Sequence, residues 1–114
     1  MEFLALIHNE EGAWDALPDE QRNAIYQRYF EFSAKPEVVG GAELQPTDSA
    51  TTVRVRNGDR MVTDGPYAEV KEALGGFFIL ECDSIDEACR LAAEIPAAAH
   101  GAVEVRPVYV REES

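Results

Sequence analysis

The sequence predicts an α+β fold, a ferredoxin-like antiparallel sheet with two helices on one of its faces. Three observations point there. Segments 3–7 and 77–82 are apolar on both alternating sets of side chains, two stretches at about 18–34 and 85–95 carry helical spacing, and the elements follow the order strand, helix, strands, strand, helix, strand. At 114 residues the chain reads as a single domain over its whole length, large enough to bury roughly two-thirds of its unfolded surface without disulfide or metal.

The elements can be justified in order. In the first strand Phe3, Ala5 and Ile7 point one way while Leu4 and Leu6 point the other, so both of its faces need cover. Pro18 suits a first helical position and Asp19-Glu20 suit the positive end of the helix dipole. A helix over about 18–34 follows, with a core stripe of Ile25, Tyr29 and Phe32, Tyr26 and Phe30 alongside, and Lys35-Pro36 as its stop. Gly40-Gly41 opens a region that is turn-rich at Pro46 to Ser49. Thr51, Val53 and Val55 then alternate with Thr52, Arg54 and Arg56 as a half-exposed strand, and Asn57-Gly58 is a hairpin signal leading into Met61-Val62-Thr63.

Residues 62–76 crowd backbone-forcing residues and charges between two apolar segments. Asp64-Gly65-Pro66 predicts a sharp turn, because a side chain that bonds its own backbone precedes a residue free to take positive φ and one with φ fixed. Gly75-Gly76 predicts a second turn, with a short helical segment over Glu69, Lys71 and Glu72 before it. Beyond the strand at 77–82, Ser84 and Glu87 form a Ser-x-x-Glu capping box ahead of the stripe Ile85, Ala88, Leu91, Ala92 and Ile95, which Pro96 closes. Val103 to Val110 reads as a final strand and Glu112-Glu113-Ser114 as a tail. Since helices cover one face of a sheet whose central strands are apolar on both, two copies are expected to pack sheet to sheet as a two-fold homodimer.

The net charge of −12, from 22 acidic and 10 basic residues, makes the average surface repel phosphate backbones and anionic lipid. Nucleic-acid and membrane partners are therefore not expected. A local basic pocket is compatible with that charge, because Arg54, Arg56, Arg60, Lys71 and Arg106 lie in loop and strand regions, so a small anionic ligand fits. The start of the chain has no basic segment ahead of its apolar run and does not read as a secretory signal, which predicts a cytoplasmic location. Cys82 and Cys89 read as reduced core thiols, and neither they nor the two histidines have metal-ligand spacing. Neither metal nor cofactor is expected.

Residues 62–76, Val-Thr-Asp-Gly-Pro-Tyr-Ala-Glu-Val-Lys-Glu-Ala-Leu-Gly-Gly, followed by Phe77-Phe78-Ile79-Leu80-Glu81, resemble the signature of the DGPF group within the YCII-related proteins, with Tyr67 where that group usually carries Phe. The first strand, the region from Gly40-Gly41 to Arg56 and the closing Gly101 to Pro107 agree with it, so the resemblance covers most of the chain. It implies the dimeric α+β barrel. It also implies two kinds of function. Relatives with this signature are often encoded beside extracytoplasmic-function sigma factors, which suggests a small-molecule-binding or regulatory module with a sigma factor as partner. Related barrels also include cofactor-free acid-base enzymes, of lyase, isomerase or dehalogenase-like type, and quinone-type monooxygenases.

The residues themselves offer several candidates. Asp64, held at a strand end by a Gly-Pro turn, can serve as a general base, or as an Asx-turn that satisfies nearby amides. Tyr67 can plug the loop against the core or place a hydroxyl in a pocket. Lys71 and Glu72 match the signature's Lys-Glu pair, readable as solvated charges or as a buried ion pair that fixes the loop. Glu104 and Arg106 are two apart and share a strand face, where the Arg can clamp an anion and the Glu orient it, or the two can take part in a cross-strand salt bridge; the ligand class expected is a small anionic or aromatic molecule. His8 and His100 flank the first and last strands and can approach the barrel mouth with Asp64, as acid-base partners or as surface and capping residues. A His-Asp pair is associated with the wider YCII-related family. No histidine here stands on the first helix, so that role is not carried over.

Overall fold

The computed structural model describes residues 1–111, and the tail read at Glu112 to Ser114 lies outside them. Four strands form the main sheet: β1 (Glu2–Asn9), β2 (Val38–Glu43), β5 (Ala73–Glu81) and β6 (Ala102–Pro107), in the order β2-β5-β1-β6. All pairings are antiparallel. Between β1 and β2 come a short helix α1 (Glu11–Asp15) and the long α2 (Asp19–Ser33), and α3 (Ile85–Ala92) links β5 to β6. The ferredoxin-like expectation is met.

The core lies on one sheet face. Phe3, Ala5, Ile7 and Leu80 point from the strands into a cluster with Phe32 of α2, with Ala88, Leu91 and Ala92 of α3, and with Ile95 and Ala97 beyond it. Aromatic geometry fixes the seat of α2, since Phe78 lies edge-on to Phe32 with ring centroids 5.0 Å apart and stacks with Tyr29 at 6.3 Å. Ser84 caps α3 by accepting from the Glu87 N–H at 3.2 Å, and the Glu87 carboxylate accepts in return from the Asp83 N–H. The reciprocal box is thus displaced by one residue on its return bond.

Several expectations are corrected. Pro18 stands at the N-cap of α2 rather than inside it, and Phe30 is exposed while Tyr26 turns toward Trp14 of α1, a helix that the sequence reading missed. The second sheet-forming strand is not the one at 51–56. It is β2, which contains Gly40-Gly41, and the glycines serve close approach: a Cβ on Gly41 would stand 2.5 Å from the Phe77 carbonyl oxygen. Gly75 and Gly76 likewise lie within β5 rather than in a turn, with a Cβ on Gly76 only 2.7 Å from the Ala42 oxygen. No helix forms over residues 67–72, and β6 ends at Pro107.

Strands β3 (Thr51–Arg56) and β4 (Asp59–Asp64) form a separate two-stranded hairpin outside the main sheet. Its Asn57-Gly58 turn is as predicted, with positive φ at both residues. Cys82 is buried but Cys89 is exposed on α3, correcting its placement in the core. Burial pushes the Cys82 thiol above its ordinary pKa. A thiol reagent should therefore modify Cys89 in the native protein and reach Cys82 only in denaturant, as counted by released chromophore. The same shift has a sign for stability. The unfolded thiol ionises before the buried one, so the native state holds more protons in the alkaline range and this contribution is lost as pH rises.

Candidate functional site

The helices pack on the Phe3 side, which leaves the opposite sheet face to Leu4 and Leu6 of β1 and Phe77 and Ile79 of β5. Register makes these four a block, since Leu4 pairs with Ile79 and Leu6 with Phe77. They are half-buried, shielded by one another rather than by any helix among the described residues. On the β6 side the same register sets Leu6 against Glu104 and Leu4 against Arg106. Polar side chains thus border an apolar floor.

These border residues contact one another. His8 Nε2 lies 3.2 Å from Glu104 Oε1, and Arg106 Nε lies 3.9 Å from Glu104 Oε2, so one carboxylate stands between an imidazole and a guanidinium. A carboxylate only accepts, which places the proton of a neutral His8 on Nε2 and leaves Nδ1 as a free acceptor. Carboxylate-oriented imidazole can take a proton, and the guanidinium can hold an anion. The sequence named all three residues, but it did not pair His8 with Glu104, because their contact depends on the register between β1 and β6.

The signature loop enters at the same end of the sheet. Lys71 Nζ reaches Glu10 Oε1 at 3.2 Å, and Glu72 Oε2 lies close to Gly101, 3.0 Å from where a Cβ would stand. Lys71 and Glu72 are both exposed, so the buried ion pair fixing the loop does not form, and the Lys71–Glu10 pair contributes little to stability. Tyr67 is 81 % exposed and does not plug the core. Instead the Arg54 guanidinium carbon stands 5.6 Å from its ring centroid, joining loop and hairpin through a cation–π contact.

Asp64 ends β4 opposite Thr51 and is exposed. The turn after it is held by backbone, with the Gly65 N–H donating to Ala50 O at 2.7 Å and Thr52 Oγ1 donating to Gly65 O at 2.8 Å. Gly65 takes φ of 106°, as the turn reading requires. Among the described residues Asp64 has neither a side-chain hydrogen bond nor a histidine partner. His100 is exposed at the end of the Pro96–Ala99 turn. Glu11, which the sequence reading passed over, ties the loop region together, because its carboxylate accepts from both the N–H and the hydroxyl of Thr47 at 2.7 and 2.8 Å. A lone glutamate in a polar connector gives no sequence signal for this.

The helix-to-sheet interface is filled by the core, and surface depressions lie outside it. One, of about 410 Å³, is lined by Arg28, Glu31, Phe32, Lys35 and Glu94. The other, of about 400 Å³, runs along the signature loop at Pro66, Ala68, Glu69, Val70 and Ala73, with Thr47 and Asp48 opposite.

The family model for the YCII-related domain matches residues 1–112. The chain belongs to the YCII-related family. An uncharacterized protein of Rhizobium meliloti (strain 1021) is 37 % identical over 117 aligned positions, covering 95 % of this chain and 92 % of the relative. No helix among the described residues of this YCII-related protein is long and apolar enough to cross a membrane.

Proposed function

We propose that this YCII-related protein, with the signature loop of the DGPF group, works in the cytoplasm as a two-fold homodimer that binds a small anionic or aromatic ligand between two facing sheets. The observation that carries the reading is the uncovered apolar face beside the His8–Glu104–Arg106 cluster. Leu4, Leu6, Phe77 and Ile79 form a floor that water does not favour, and a second copy offers an identical floor to cover it. Arg106 is the anion-holding group, and His8 Nδ1 accepts from a ligand hydroxyl. Tyr67, Lys71 and Glu72 border the entrance on the loop side. A sigma-factor partner rests on the family resemblance alone.

The His8–Glu104 bond also favours a second reading, a cofactor-free acid-base enzyme of lyase, isomerase or dehalogenase-like type. His8 is then the base, while Asp64 and His100, the base and auxiliary acid that the sequence suggests, share no hydrogen bond or ion pair among the described residues.

Thermal-shift titration with small carboxylates and phenols, run beside sedimentation equilibrium, tests the first reading. The wild type should sediment as a dimer, and at least one such compound should raise its melting temperature, since a ligand selective for the folded state stabilises it. Arg106→Gln should abolish the shift given by carboxylates while leaving the dimer intact. A monomer that answers to no compound would sink the reading.

A further inference from the structure

Register carries the open sheet face beyond its apolar floor to β2. Gly40 pairs with Ile79 and Ala42 with Phe77, so two rows of residues cross all four strands. One row starts at Arg106 on β6 and passes Leu4 and Ile79 to Gly40. The other starts at Glu104 and passes Leu6 and Phe77 to Ala42. Directly paired residues share a face, so both rows stand on the uncovered side.

The two rows are graded in the same sense. Each is charged on β6, bulky and apolar on β1 and β5, and nearly bare on β2. At β2 the surface falls away, and Ile79 leans into the space, its Cδ1 3.2 Å from where a Cβ on Gly40 would stand. Alternate residues of a strand lie about 6.7 Å apart. The rows therefore flank a shallow furrow that runs across the strands, polar at one end and a low apolar shelf at the other.

That gradient selects the occupant. Arg106 Nε approaches Glu104 only to 3.9 Å, beyond hydrogen-bond length, and the guanidinium makes no hydrogen bond among the described residues. Its fork is free to hold a carboxylate through two parallel bonds while Glu104 stays with His8. From β6 to β2 the three strand spacings add to about 14 Å, the length of an extended alkyl carboxylate of roughly ten carbons. We propose that the furrow binds an amphipathic carboxylate of medium chain length, its head on Arg106 and its tail laid across β1 and β5 to end over Ala42. The inference rests on the ligand site proposed above; it names the ligand class and makes Ala42 the residue that limits tail length.

Calorimetric titration with butanoate, hexanoate, octanoate and decanoate tests it. Affinity should rise about fourfold for each methylene added, the worth of burying that group, until the tail reaches β2. Ala42→Leu, a change at an exposed position, should leave butanoate binding and the circular dichroism unchanged while weakening decanoate about tenfold or more. Arg106→Gln should weaken all four. Affinity that does not depend on chain length, or decanoate binding indifferent to Ala42→Leu, overturns the furrow and leaves the anion site at Arg106 standing. Affinity that grows with length but survives Arg106→Gln is adsorption to apolar surface, and overturns the furrow as well. If no alkanoate binds, the furrow falls, and if no carboxylate or phenol raises the melting temperature either, the ligand site falls with it.

Discussion

Truncating Phe3 to alanine should cost about 3–5 kcal/mol, the range for removing a buried aromatic ring. Phe3 is 1 % exposed and pairs with Leu80, itself fully buried, in the cluster that α2 and α3 share. The void would open where both helices rest on the sheet, and neither helix can close it without leaving the other. Against a total stability of roughly 5–15 kcal/mol for a domain, the loss would leave the variant partly unfolded at moderate temperature. Chemical denaturation followed by circular dichroism measures it. The neighbouring Leu4→Ala is the informative control. Leu4 faces the uncovered side, so in dilute solution its truncation should cost well under half as much, and that cost should rise toward the cost of Phe3→Ala as protein concentration increases if that face is covered by a second copy. Equal costs at all concentrations would contradict the assignment of the two faces.

Gly101→Ala should be nearly as damaging, at roughly 3 kcal/mol, the upper end of overpacking costs. A Cβ there would overlap the His8 carbonyl oxygen and stand 3.1 Å from Asn9 Cα. Backbone cannot swing aside as a side chain can, so β6 must separate from β1 where Ala102 pairs with His8. A melting temperature lower by about 15 °C is the expected readout for a domain of this size. Because His8 and Glu104 are brought together by this register, the variant should also weaken any ligand that Arg106 holds. A substitution tolerated without loss would mean that β1 and β6 are spaced differently from this description.

Much of the fold was legible because its signals are local. Asn57-Gly58 demands positive φ at two successive positions, Ser84 and Glu87 sit at capping distance, and Leu91 and Ile95 recur at helical spacing; each is read from a handful of neighbours. The errors share one cause. Gly75-Gly76 looks like a turn, yet Gly76, like Gly41, lies where two strands approach closely, and only the partner strand's carbonyl reveals why a side chain is excluded. Tyr67 reads from the sequence as a plug against the core or a hydroxyl in a pocket, but local sequence does not say that Arg54 stands beside its ring.

What the chain's own order of residues determined is the inventory: two main helices, strands apolar on both sides, an acidic composition and the set of polar side chains available for chemistry. These follow from periodicity and composition, which act over a few residues. Tertiary structure alone decided which of those side chains meet. Glu104 joins His8 across 96 positions of sequence because antiparallel register brings β6 beside β1, while Asp64 is carried off on the hairpin arm. Register is a sum of many weak pairings along two distant strands, and no single segment contains it.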